Sequence, residues 1–298
     1  MKNPDPVLEE IVARGRRLAE PRNYFKGMPD EVPLLPRNIL MFSRTKSSVL
    51  GRGGTTIPPH HRFVLVSAFV GRGKISAGPH THSIEAGEAL LIQPFQPHCF
   101  MELSPASIDW VFTTFELPRD ERLEVLRSQG AWKMEADELA QIRHMLRCWQ
   151  SKTQRGDLSL YLALRLKHVL RRLEGHSKIR PRSFSTDDNG KLVASVNRFA
   201  LEKMNQPLAT QDVAVGIGVS ASSLRARFKA ATGKAVASHL REIKLYHACK
   251  LLHETRLRVG EISAQCGYDS LFAFSRAFRT AYGCAPREYR ARSSGMGS

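Results

Sequence analysis

Residues 213–233, VAVGIGVSASSLRARFKAATG, are echoed by residues 262–283, ISAQCGYDSLFAFSRAFRTAYG. Leu224, Phe228, Lys229 and Gly233 recur as Phe274, Phe278, Arg279 and Gly283, each 50 residues later. Upstream, Val213-Ala214 and Gly218 recur as Ile262-Ser263 and Gly267 at an offset of 49, so the second copy carries one extra residue in its turn. Self-similarity at such a period marks a duplicated supersecondary unit. Each copy has the logic of a helix-turn-helix. A small residue, Ala214 or Ser263, stands where a first helix must let a second approach. Four residues later a glycine, Gly218 or Gly267, supplies the positive φ of a tight turn. Ile217 and Val219, then Cys266 and Tyr268, flank that glycine as a miniature core. Ser220, and Asp269 or Ser270, are good N-caps for the second helix, which should stop near Gly233 or Gly283.

In a helix-turn-helix the second helix enters the major groove and its early residues face base edges. In the first copy this helix should run over about Ala221 to Ala231. Leu224 and Phe228 face inward, leaving Ser222, Ser223, Arg225, Ala226 and Lys229 outward. Arg225 suits a bidentate contact to guanine; the serines are less selective. In the second copy Leu271, Phe272, Ala273, Ser275, Arg276 and Arg279 take the equivalent face, with Arg276 as its polar reader. Leu271 and Phe272 suit thymine methyl groups better than hydrogen-bonded edges. His239 to His253, HLREIKLYHACKLLH, reads as one amphipathic helix joining the copies. A rigid spacer of this kind would set the two reading helices about 34 Å apart, one turn of DNA.

Charge agrees with a polyanionic partner. The 298 residues carry 45 Lys+Arg against 28 Asp+Glu, a net +17. From Gly190 to Ser298 there are 17 basic against 7 acidic residues, or +10, so the excess is densest at this end. No run of 18 apolar residues suggests a membrane span, and Met1 to Glu20 lacks the pattern of a secretion signal. Five scattered cysteines, with no C-x-x-C pair, fit a reducing cytoplasm better than a disulfide framework.

The rest of the chain reads as an N-terminal β region and a helical middle, making an α+β protein. FVLVSAFV at Phe63 to Val70, ALLI at Ala89 to Ile92 and IDWVFTTF at Ile108 to Phe115 are short β-rich runs punctuated by Gly and Pro, as in a sandwich or small barrel. Residues 119–174 change to helical spacing. The stripe Leu158, Leu162, Leu166, Val169, Leu170 and Leu173 either packs within the monomer or forms a dimer seam. Polar residues 175–190 read as a linker. The expected division is an N-terminal arm at 1–37, a sensor at 38–118, helices at 119–174, a linker at 175–190 and an all-α DNA-binding domain at 191–292.

These residues resemble the AraC/XylS family of transcription regulators. Gly267-Tyr268, Phe274-Ser275-Arg276, Phe278, Pro286 and Tyr289-Arg290 carry the resemblance most closely. Ala226 departs from it where a polar reader is common, and Arg227 where an apolar packing residue is usual; Arg227 could snorkel to a phosphate. The resemblance implies promoter binding, usually activation through RNA polymerase, and a homodimer. His60-His61-Arg62-Phe63, Gly71-Arg72-Gly73, Gly87 to Ile92, Pro94 and Pro97-His98 are similar to the family's cupin-type sensor. That implies a jelly-roll barrel with a small-molecule effector inside, lined by His61, Phe63, Phe95, His98, Trp110 and Phe112.

His60, His61, His80, His82 and His98 crowd into about forty residues. A metal site needs three or four ligands in register, and Arg62 stands where such a site would want an acid. His80 and His82 fall near a hairpin turn at Gly78-Pro79, and His61 and His98 are read as lining an organic pocket or satisfying backbone groups, with no metal or cofactor and no catalysis. No P-loop, Rossmann glycine pattern or G-x-S-x-G elbow is present. The function expected is sequence-specific regulation of transcription, modulated by an effector. The alternative is a metal-dependent cupin enzyme with an auxiliary DNA-binding domain.

Overall fold

A computed structural model describes residues 6–17, 35–45, 62–104, 107–117, 130–151, 155–175 and 188–294. The chain divides into two units, Met1–Pro33 and Leu34–Ser298. Within the first, Pro6–Gly15 forms helix α1, with Arg14 and Glu10 paired at 2.7 Å one turn apart.

The larger unit begins with two antiparallel sheets. Strands β1 (Arg37–Arg44), β2 (Phe63–Val70), β5 (Glu88–Ile92), β7 (Asp109–Glu116) and β8 (Trp132–Lys133) form one, in the order β1-β7-β2-β5-β8. Strands β3 (Gly73–Ala77), β4 (His80–Ile84) and β6 (His98–Met101) form the other, in the order β4-β3-β6. The apolar run of β2 is buried because both faces of its sheet are covered. Val64, Val66 and Ala68 face Ile75, Ile84 and Phe100 of the smaller sheet, together with Leu90, Trp110 and Phe112. On the opposite face Phe63 and Leu65 join Leu91 and Phe115 under two helices. This is the period-two alternation of a strand, with apolar residues in both phases.

The two covering helices are α2 (Ala136–Gln150) and α3 (Leu158–Gly175). Leu158, Leu162, Leu166 and Val169 of α3 are at most 5% exposed and pack with Ile142, Met145 and the outer face of the larger sheet. The leucine stripe is thus occupied within the monomer. Beneath it lies a buried ion pair: Arg165 Nε is 3.7 Å from Glu138 Oε1, and Arg165 Nη2 donates to Ser67 Oγ at 2.9 Å. Burial pulls the arginine pKa down to about 10 despite the carboxylate beside it.

Seven helices follow. α4 (Asp188–Glu202), α5 (Thr210–Gly216) and α6 (Ala221–Thr232) make the first helical unit; α7 (Val236–Glu254) is a spacer; α8 (Val259–Gln265), α9 (Leu271–Tyr282) and α10 (Pro286–Ser294) make the second. Leu224 and Phe228 are fully buried in one core, and Phe274 and Phe278 in the other.

The β region docks on both cores. Cys99 and Met101, from the outer face of β6, complete the core of the first unit. Phe95, held at a φ of +55° in the loop before β6, enters the core of the second and lies 5.5 Å from the ring of His253. Between them Asn197 of α4, buried, donates through Nδ2 to Ser76 Oγ (3.0 Å) and to the Gly78 carbonyl (2.6 Å). His239 Nε2 of α7 donates in turn to Asn197 Oδ1 at 2.6 Å. Thr81 adds a bond to the Gly190 carbonyl at 3.3 Å.

Candidate nucleic-acid interface

In each helical unit the turn is closed by the geometry its glycine permits. Gly218 has φ +73° and Gly267 φ +63°. Val219 N donates to Ala214 O at 2.9 Å, and Tyr268 N to Ser263 O at 3.1 Å. Ala214 and Ser263 are buried where the helices meet, which is why the position is small. The reading helices α6 and α9 start on side-chain caps: Ser220 Oγ accepts from Ser223 N at 3.2 Å, and Ser270 Oγ from Ala273 N at 3.1 Å. Ser270, not Asp269, is therefore the cap of the second. Both helices end on left-handed glycines, Gly233 and Gly283.

With Leu224 and Phe228 turned inward, Ser222, Arg225, Ala226 and Lys229 are exposed, while Ser223 is half-buried beside its cap. On α9, Leu271, Phe272, Ala273, Arg276 and Arg279 are exposed and Ser275 is half-buried. Phe272 is 77% exposed, a large apolar side chain held in water at the first turn. Arg227 points elsewhere: its Nη2 reaches the Asp188 carbonyl at 3.4 Å, so it braces α4 and does not snorkel outward. Among the described residues, nothing of the β region covers these exposed positions of α6 and α9.

The two units are fixed to each other as well as to the spacer. The nineteen residues of α7 span roughly 28 Å at the α-helical rise. Lys244, midway along it, donates to the Gln206 carbonyl (2.9 Å) and to the Gly267 carbonyl (2.8 Å), joining the entry to the first unit with the turn of the second. The backbones approach so closely that a Cβ on Gly267 would lie 2.4 Å from Gln206 O. Burial lowers the pKa of Lys244, partly offset by Cys266 and Asp269. Sequence reading missed this lysine, because its partners are backbone carbonyls 38 and 23 residues away.

The residues expected to line an effector pocket do not all meet. His61 lies outside the described residues, as does His60. Trp110 and Phe112 share the inner face of the larger sheet, and Phe100 stands against both at 6.2 and 5.7 Å. His98 is 6.1 Å from Phe100, its Nδ1 3.0 Å from the Gln96 carbonyl. Phe63 faces the helices instead, and Phe95 is spent on the second helical unit. The pairings Ile75 with His82 and Phe100, and Ala77 with His80 and His98, put all three histidines on the inner face of the smaller sheet. Phe100 and His82 were readable by stepping two residues along each strand from His98 and His80. Burial depresses the pKa of all three, that of His82 to about 4.

Arg62 is committed to β7, paired with Glu116 at 3.2 Å. Among the described residues no three His, Cys, Asp or Glu side chains gather as metal ligands. All five cysteines are buried and unpaired with one another. Burial lifts the Cys99 thiol to about 12, which removes it as a nucleophile at neutral pH. No described helix is long and apolar enough to cross a membrane.

Residues 213–292 match the family profile described as "Helix-turn-helix domain". The chain is similar to the HTH-type transcriptional activator RhaR of Yersinia pseudotuberculosis serotype O:1b, 24% identical over 80% of this chain and 86% of the relative. RhaR of Pectobacterium atrosepticum is 26% identical over 78% of this chain and 85% of the relative. The solved C-terminal domain of AraT, a response regulator from Geobacillus stearothermophilus, is 29% identical over 36% of this chain and 88% of that one, with a TM-score of 0.34. Two capped reading helices on one stiff, basic scaffold define a DNA-binding regulator of transcription. Over most of its length the chain is similar to HTH-type transcriptional activators, and residues 213–292 carry their helix-turn-helix domain.

Proposed function

We propose that this protein is a one-component transcription activator that works in the cytoplasm, binds promoter DNA as a homodimer and answers to a small molecule held in its β region. The observation that carries the reading is the pair of reading faces on α6 and α9, exposed and in fixed relation through α7 and Lys244. On this reading residues 191–292 bind DNA, 38–118 form a cupin-type jelly roll, 119–174 dimerise and 175–190 link. Activation rests on the RhaR relatives, which are named as activators, and it implies contact with RNA polymerase.

Arg225 and Arg276 are the principal base readers. Ser222, Ser223, Ala226 and Lys229 complete the first face; Leu271, Phe272, Ala273, Ser275 and Arg279 complete the second. The effector reading is supported by the inner aromatic cluster. Trp110 is fully buried there, and its Nε1–H finds no acceptor among the described residues. A bound organic molecule with a hydrogen-bond acceptor would satisfy it. For the dimer, the outer face of α3 carries Leu160 and Leu164, one turn apart and about half exposed, while its inner stripe is occupied.

Selection from random duplex DNA with the full chain tests the reading. Enrichment of two boxes about one helical turn apart is expected. Arg225→Ala and Arg276→Ala should each weaken binding to the selected site by about 1–3 kcal/mol and relax one position in its box. Wild-type affinity and specificity in both variants would remove α6 and α9 from the reading role.

A further inference from the structure

Beside the start of α9 lies a groove of about 1040 Å³ that belongs to the second helical unit alone. Arg256 and Arg258 enter it from the segment between α7 and α8, and Arg287 from α10. All three are exposed, and among the described residues none of the three makes an ion pair. A fourth arginine, Arg290, is committed to structure: it donates to the carbonyls of Leu252 (3.3 Å) and Leu257 (2.7 Å). The carboxylate facing the groove, Glu261, accepts from the backbone N of Arg258. Three guanidinium groups thus stand against one carboxylate, in a concavity whose far wall is Leu271 and Ser275 of the reading helix.

The first unit lacks arginine at all three equivalent positions. By the 49- and 50-residue offsets, the positions of Arg256, Arg258 and Arg287 are Pro207, Ala209 and Ala237. The corresponding groove there is walled by Ala209, Thr210, Gln211 and Ala237; its cations are Arg225 of α6 and Arg241 and Lys244 of α7, and Lys244 is held by the Gln206 and Gly267 carbonyls. The outward start of α6 is Ser222 and Ser223, whereas that of α9 is Leu271 and Phe272.

We propose that the Arg256–Arg258–Arg287 groove seats backbone phosphates of the DNA strand flanking the box under α9, so that the second unit anchors the protein while the first does most of the discrimination. Resting on the DNA-binding reading above, this assigns to three further residues the part of the affinity that carries no sequence information. Guanidinium forks match phosphate oxygens in geometry and charge. Unpaired arginines beside a reading helix lie where the strand rises out of the major groove. Apolar side chains at the start of α9 leave that helix few hydrogen bonds with which to choose bases.

The test is the salt dependence of binding by the full chain to the selected duplex and to a scrambled duplex of the same length. Each phosphate neutralised contributes about 0.9 to the slope of log K against log salt. The triple variant Arg256→Gln, Arg258→Gln, Arg287→Gln should lose roughly 2–3 from that slope and weaken both duplexes by the same factor. The triple lysine variant, which keeps the charge, should restore the slope. Arg225→Ala should instead weaken the selected duplex more than the scrambled one. An unchanged slope in the glutamine variant overturns the proposal, and if transcription activation alone is lost the groove serves a protein. Weakening confined to the selected duplex also overturns it, since the groove would then read bases. Failure of the wild-type chain to bind either duplex at 50 mM salt would sink the DNA-binding reading itself, and the groove with it.

Discussion

Asn197 accepts from one buried imidazole and donates to two acceptors on the β region, so a single amide joins the β region, first unit and spacer helix. The arrangement requires a proton on His239 Nε2. Burial holds its pKa at about 3, and the Lys234 charge adds to the depression. His82, buried on the smaller sheet, is held at about 4. Both values lie below the 6.5 or so of an unfolded histidine. Above pH 6.5 neither state of the chain takes up a proton at these sites. As pH falls below that value the unfolded chain gains protons that the folded chain refuses, and stability falls. Each histidine should cost about 2 kcal/mol between pH 7 and pH 5. Denaturant unfolding at the two pH values measures the loss. His239→Gln, which keeps an N–H for Asn197, should flatten the profile by the share of one histidine, and an unaltered profile would show that His239 does not titrate with folding.

At the scale of elements, the duplicated unit was readable because its constraints are local. Small residue, glycine, cap and paired apolar positions fall within about twenty residues, and each has a steric or hydrogen-bonding reason. Thus α6 and α9 start on the serines expected, and the spacer is one helix. The strand runs at Phe63–Val70 and Ala89–Ile92 were readable for the same reason. The direction in which an element faces was less so. The stripe on α3 has the same spacing whether it meets a sheet or another chain, and only the two-sided burial of the larger sheet explains why it meets the sheet. Phe63 and Phe95 have the composition of pocket residues, yet their backbones carry them to other contacts.

The two turn glycines make a test at this scale. Both have positive φ, so Gly218→Ala, with open space around its Cβ, should cost only the left-handed strain of about 1–2 kcal/mol. Gly267→Ala adds a collision with the Gln206 carbonyl carbon, oxygen and nitrogen, all under 3.0 Å. It should cost clearly more and should alter DNA binding, because relieving the clash moves the second unit away from the first. Equal melting temperatures for the two variants would show that the close approach is not maintained.

For the whole molecule, the hydrogen bonds that join Ser76, Gly78 and Thr81 of the β region to α4 span 109 to 121 residues of sequence. No periodicity marks such pairs, and the joining contacts of Asn197, His239, Phe95 and Lys244 were not readable for that reason. The β region reaches the core of each helical unit at a separate point, Cys99 and Met101 in one and Phe95 in the other. Phe95→Ala should therefore loosen the second unit selectively. Truncating a buried phenylalanine removes about 3 kcal/mol or more. Hydrogen exchange should quicken in α9 and the C-terminal half of α7, with α6 little changed. Uniform quickening across both units would mean that the loop only tethers the β region.

The Phe95 contact also bears on how such regulators can be recombined. A hybrid that joined residues 188–294 of this chain to a foreign sensor would inherit a reader with a gap in its second core and an exposed amide at Asn197. Successful transplants should be those whose incoming β region brings an aromatic residue in the loop before its own equivalent of β6, or whose recipient has been repacked around Leu245, Ala248 and Leu252 to do without one.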